Sequence, residues 1–144
     1  MGDRAPEFRL KDLAGKERTL AELRHGGPIV LDFGSVYCAS CQEVLRRLET
    51  LRREQKPGGL RVAVVNVDPP WAEKVVQSVI KGLRAGYPVV RDPEGATAET
   101  YGVKQIPHLV AVDAGGIIRA AHEGLPTDLK QALRLDALGE PERK

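Results

Sequence analysis

The sequence predicts an α/β fold: a central mixed β-sheet covered by helices on both faces. Two observations carry that expectation. Short apolar runs alternate with amphipathic stretches along the first two thirds of the chain, and a hairpin signal followed by a helix-like segment closes it. No repeat, linker or change of composition divides the 144 residues, so a single domain spanning 1–144 is expected.

Each element follows from local chemistry. "FRLKDLAGKERTL" places the turn residues Ala14, Gly15 and Lys16 between two extended arms, a short N-terminal hairpin. "PIVLDF" (28–33) is an apolar run after the Gly26-Gly27 turn, and is read as a buried strand. Beyond it Val44, Leu45, Leu48 and Leu51 recur with helical spacing among arginines and glutamates, and Pro57-Gly58-Gly59 should close that helix. "LRVAVVNVD" (60–68) is a second buried strand. Pro69-Pro70 open a helix with Trp71, Val75, Val76, Val79, Ile80 and Leu83. "YPVVRD" (87–92) is a short extended piece, and "EGATAETYGV" a short helix ending at Gly102. "HLVAVD" and "IIRAAH" are strands joined by Ala114-Gly115-Gly116. "TDLKQALRLDAL" (127–138) reads as a closing helix with Thr127 as its N-cap.

Composition narrows the function. The chain is 42% hydrophobic and 29% charged, with a net charge of +2, which suits a soluble globular domain and does not predict nucleic-acid binding. The densest basic cluster, "RRLETLRREQK", is read as the solvated face of a helix. No apolar run is long enough to span a membrane, so no membrane insertion is expected. The opening "MGDRAPEFRL" lacks the basic-then-apolar order of a secretory signal.

The two cysteines of the chain stand in "FGSVYCASC", with Ala39 and Ser40 between them. Such a pair is a redox couple, half of a metal site, or two inert thiols. Its position favours the first. Cys38 falls where a strand turns into a helix, and the free N–H groups and dipole of a helix N-terminus stabilise a thiolate, the nucleophilic form. Cys41, one turn on, can attack a mixed disulfide at Cys38 and release the partner. Asp32 stands in an apolar strand, where burial raises a carboxyl pKa, and such a group can relay the Cys41 proton.

"VLDFGSVYCASC" resembles the active-site segment of the thioredoxin superfamily, and "QIPHLVAVD" its cis-proline segment. "APEFRLKDLAGKERTLAEL" and "YPVVRDPEGATAETYGV" narrow the resemblance to the TlpA/ResA-like thiol–disulfide oxidoreductases, from about Ala5 to Leu138. The resemblance implies a thioredoxin fold with an N-terminal β-hairpin and a central insertion. It makes Cys38 the attacking cysteine, Cys41 the resolving one, and Asp32 the buried aspartate. Tyr37, Ile106, Pro107 (the cis-proline) and His108 become substrate-binding positions. It further implies no cofactor beyond a redox-active Cys38–Cys41 disulfide, no resident metal, protein dithiol or disulfide substrates, an electron donor, a monomer, and an extracytoplasmic setting, periplasmic or membrane-anchored.

The sequence departs from the family pattern at several places. Val64 stands where thioredoxin has a lysine partner for the aspartate, Gly34 and Tyr37 where tryptophans are usual, Ser40 where proline is usual, and His108 where threonine is usual. His108 is expected near the sulfur atoms, tuning Cys38 or completing a metal site with both thiols. The competing functions are therefore a copper or other metal carrier using Cys38, Cys41 and His108, and a peroxiredoxin-like peroxidase. The latter is disfavoured because Ser35 replaces the threonine of T-x-x-C.

Overall fold

The computed structural model describes residues 2–55 and 59–138. β1 (Arg9–Asp12) and β2 (Glu17–Thr19) form the expected hairpin, tied by Asp12, whose Oδ1 accepts from the backbone N–H groups of Ala14 and Lys16. α1 (Leu20–Arg24) follows at once through a capping box between Thr19 and Glu22. Next come β3 (Ile29–Gly34), α2 (Ala39–Glu54) and β4 (Arg61–Asn66). One 3₁₀ turn, Pro70–Ala72, leads into α3 (Glu73–Leu83). β5 (Val89–Arg91), α4 (Ala96–Thr100), β6 (His108–Val112), β7 (Ile118–Glu123) and α5 (Leu129–Ala132) complete the order. α2 ends at Glu54; of its expected closing residues, Pro57 and Gly58 lie outside the described residues.

The strands form one seven-stranded sheet, ordered β2-β1-β5-β4-β3-β6-β7. β3, β4 and β5 run parallel, while β6 lies antiparallel to β3. β3 is buried at every position, Asp32 included, as a predominantly apolar run implies for a strand covered on both faces. Alternation then divides the core. Val30, Val62, Val64, Leu109 and Ala111 pack with Val44 and Leu48 of α2, Val76 and Ile80 of α3, and Leu129 and Leu133 at the C-terminus. Leu31, Phe33, Val65 and Val110 pack on the other face with Leu20 and Leu23 of α1, Ala98 of α4, and Phe8. Helices cover both faces, as the sequence predicts.

The closing segment differs from expectation. The helix is four residues long, and Asp128 rather than Thr127 caps it, accepting from the N–H of Gln131. Arg134 then adopts the left-handed conformation (φ 51°) before a second 3₁₀ turn at Leu135–Ala137. Packing explains the break. In a continuous helix Leu138 would face away from Leu129, because nine residues make two and a half turns. With the break, Leu129, Leu133 and Leu138 are all buried in one core. Arg134→Gly should therefore raise the stability measured by urea denaturation, by about 1 kcal/mol, since glycine has no Cβ to crowd the following carbonyl. A continuous helix would instead lose about 1 kcal/mol.

Candidate active site

The ends of four strands meet at one edge of the sheet. Gly34 of β3 pairs with Asn66 of β4, Asn66 with Arg91 of β5, and Phe33 with His108 of β6. The loop to Cys38 leaves this edge after β3, the segment to Trp71 leaves it after β4, and Pro107 enters it before β6. The Ile106–Pro107 bond is cis, as the resemblance implies.

Cys38 is the N-cap of α2, and its Sγ accepts from the backbone N–H of Cys41 at 3.2 Å. Ser40 Oγ lies 3.4 Å from the same sulfur. Partial burial pushes the Cys38 thiol up, but the Cys41 thiol, the Ser40 hydroxyl and the N–H groups of both residues outweigh it. The net pKa falls below the usual thiol value. Cys41 is only 1% exposed. Burial first, and then the hydrogen bond it gives to Cys38, push its thiol up to about 12. Two thiols of one motif thus differ in access and acidity: Cys38 ionises first, at the surface, and Cys41 waits beneath it.

Gly34 ends β3 directly against both side chains: a Cβ there would lie 3.4 Å from Cys41 Sγ and 3.8 Å from Asp32 Oδ1, in ordinary van der Waals contact. Asp32 is fully buried, and neither carboxyl oxygen has a hydrogen-bond partner among the described residues. Its neighbour on β4 is Val64, which offers no charge. Burial therefore pushes the Asp32 carboxyl up to about 8. Asp32, Gly34, Cys41 and Asn66 border a small cavity, with about 10 Å³ open to the centre of a water molecule.

A buried polar network, not foreseen from the sequence, fixes the loop before Cys38. Asp68 is 4% exposed, and its carboxylate accepts from the Ser35 hydroxyl, the N–H of Val36 and the Asn66 amide. Gln42 donates to the Val36 carbonyl from the other side. Arg91, also buried, donates to Asn66 Oδ1, to the carbonyls of Asp68 and Pro69, and to Glu73. One signal for this was present: Asn66, Asp68 and Arg91 are the polar residues that end apolar strand runs. Tyr37 is 56% exposed, and its ring centroid lies 6.2 Å from that of Trp71, which is 77% exposed.

His108 departs from expectation. Paired with Phe33, it shares the face of the sheet opposite Asp32 and Cys41, and its ring packs edge-on against Phe33 at 6.3 Å. It is buried, and burial holds its pKa below the usual histidine value, against the pull of Glu123. The alternation of β6 decides this: a residue next to Leu109, which faces α2, must face the other way. Cys38, Cys41 and His108 do not form a ligand set, and no group of three or more His, Cys, Asp or Glu side chains among the described residues is arranged to hold a metal.

A thioredoxin fold that presents an accessible thiol over a buried one, beside a cis-proline, defines a dithiol oxidoreductase. The chain belongs to the AhpC/TSA family, whose pattern it matches over residues 1–121. It is 30% identical over 127 residues to the thiol-disulfide oxidoreductase ResA of Halalkalibacterium halodurans, covering 88% of this chain and 70% of that protein. It is 29% identical over 137 residues to the thioredoxin-like protein YneN of Bacillus subtilis, covering 94% of this chain and 79% of the other. Among solved structures, a protein from Chlorobium tepidum described as thiol:disulfide interchange protein DsbE superposes with a TM-score of 0.84 at 28% identity, covering 96% and 97% of the two chains.

The Asp32 carboxyl has a measurable consequence. Its pKa is raised by folding from 3.8 to about 8, so the folded state holds a proton that the unfolded state loses. The contribution of Asp32 to stability is fullest below pH 4 and is lost as pH rises towards 8. Asp32→Asn removes this dependence. The variant should match the parent near pH 4 and exceed it at pH 9 by an amount on the order of several kcal/mol, read from denaturant midpoints at the two pH values.

Proposed function

We propose that the chain reduces disulfides of protein substrates. The observation that carries this is the difference between the two thiols: Cys38 half-buried at the helix N-cap with a lowered pKa, and Cys41 fully buried with a raised one. In the first step the Cys38 thiolate attacks one sulfur of a substrate disulfide. A Cys38–substrate bond forms, the substrate S–S bond breaks, and the departing substrate thiolate takes a proton from water. In the second, Cys41 loses its proton and attacks Cys38 Sγ. The Cys38–Cys41 disulfide forms as the Cys38–substrate bond breaks, and the second substrate sulfur leaves as a thiolate that takes a proton from water. Two electrons have passed from the dithiol to the substrate, so no organic cofactor is needed. An external donor must restore the dithiol.

Asp32 is the proposed acceptor of the Cys41 proton. It borders the same cavity, and a carboxyl with a pKa near 8 is matched to exchange at neutral pH. Tyr37, Ile106 and Pro107 are the proposed substrate-facing residues. His108, 7% exposed, offers little to a substrate through its imidazole. Among the described residues the Cys38 thiolate is stabilised by hydrogen bonds from Cys41 and Ser40, and modest stabilisation of the dithiol form favours a reductant over an oxidant. A peroxidase is disfavoured because the Ser35 hydroxyl is taken by Asp68 rather than offered to Cys38. A monomer outside the cytoplasm is the setting proposed from the resemblance to TlpA/ResA-like proteins.

Equilibration with glutathione tests the direction. A potential near or below about −230 mV supports a reductase, and one near about −120 mV would refute it. Assignment of roles follows from two variants in an insulin-reduction assay. Cys38→Ser should abolish attack, and Cys41→Ser should accumulate mixed disulfides visible on non-reducing gels. Asp32→Asn should slow release of the substrate at pH 7 by about tenfold or more, with the deficit shrinking at high pH as Cys41 ionises unaided.

A further inference from the structure

Beside the reactive sulfur the structure keeps an apolar surface that the exchange chemistry does not use. Among the described residues the large hydrophobic side chains exposed to solvent are Tyr37, Trp71, Val75 and Leu125. Tyr37 directly precedes Cys38. Trp71 comes from a different strand end, yet its ring lies 6.2 Å from that of Tyr37, tilted by 43°. Val75 follows Trp71 by one turn, at the start of α3.

These rings are presented on a fixed frame. Asp68 holds Val36 and Ser35, immediately before Tyr37, and Ser35 Oγ accepts from the Tyr37 N–H. Arg91 holds the carbonyls of Asp68 and Pro69, immediately before the turn carrying Trp71. One buried network therefore sets both aromatic positions. Exposed aromatic rings kept in register by buried polar groups have the form of a recognition site, because the frame limits the entropy lost when a partner packs on them.

We infer that Tyr37 and Trp71 form an aromatic clamp that selects protein substrates carrying a large apolar side chain within two residues of the reacting cysteine. The inference rests on the disulfide exchange proposed above. Tether length supports this occupant. A mixed disulfide sets the two cysteine Cα atoms roughly 4.4–6.8 Å apart, and each further residue adds at most about 3.8 Å. The next two substrate residues on either side must then pass within about 14 Å of the Cys38 Cα, and Tyr37, whose ring stands 6.2 Å from that of Trp71, is the residue next to Cys38. An apolar side chain there covers ring surface that otherwise faces water, and the gain falls on the reacting substrate alone.

The test uses two disulfide-linked peptide dimers, identical except that the residue after cysteine is phenylalanine in one and glycine in the other. The reduced protein should show a kcat/KM about tenfold higher for the phenylalanine peptide, the size of effect that one aromatic contact gives. In Trp71→Ala that ratio should fall close to one, and in Trp71→Phe most of it should remain. Equal rates on the two peptides in the parent protein, or a preference that survives in Trp71→Ala, overturns the clamp and leaves the exchange reaction standing. Failure of the parent protein to reduce either peptide overturns both.

Discussion

Everything at this site depends on where β3 stops. The strand is buried on both faces up to Gly34, and its pairing with Asn66 and the neighbouring His108 fixes its end in space. Four residues later α2 begins, capped by the sulfur of Cys38, which accepts the Cys41 N–H at 3.2 Å. A helix N-terminus has unpaired N–H groups that need an acceptor, and here a thiolate supplies one. The helix gains a cap and the sulfur gains stabilised charge from the same contact.

The sheet edge is held by polar groups that cannot be read as surface. Asp68 and Arg91 are buried, and their hydrogen-bonding capacity is spent on the loops after β3 and β4 rather than on water. Buried polar groups are costly unless satisfied, and a fully connected set confines its members to one geometry. The loops that carry Cys38 and Trp71 are therefore tied to the sheet edge by buried hydrogen bonds. Asp32 is the counter-example in the same neighbourhood: it is buried with no partner for either oxygen among the described residues, and burial raises its pKa to about 8, where it can exchange a proton near neutral pH. The contrast separates the carboxylate that organises the site from the carboxyl suited to proton transfer.

Two-residue alternation assigns the remaining roles. Asp32 and Leu109 lie on the face under α2, and Phe33 and His108 on the face under α1 and α4. This puts the Asp32 carboxyl with Cys41 and takes the His108 imidazole away from both. A cationic partner for the thiolate is thereby lost from the place where the sequence suggested one, and Cys38 relies on neutral donors.

The sequence by itself determined the strands, the long helices and the placing of the two cysteines one turn apart at a helix start. Each of these is written in local terms: the apolar run of β3, the 3.6-residue spacing of Val44, Leu48 and Leu51, and two cysteines one turn apart at a helix start. The burial of Asp32 was legible for the same reason, since its neighbours in the run are all apolar. What only the tertiary structure decided involves residues far apart in the chain. Trp71 meets Tyr37, Asp68 meets Ser35 and Val36, and Arg91 meets Asn66 because four strand ends converge, and no local pattern encodes that convergence. The break at Arg134 belongs with them. Propensity alone favours a continuous helix there, but burial of Leu138 beside Leu129 and Leu133 is worth more than the turns it gives up, and that gain exists only once the sheet provides a core for those side chains to enter.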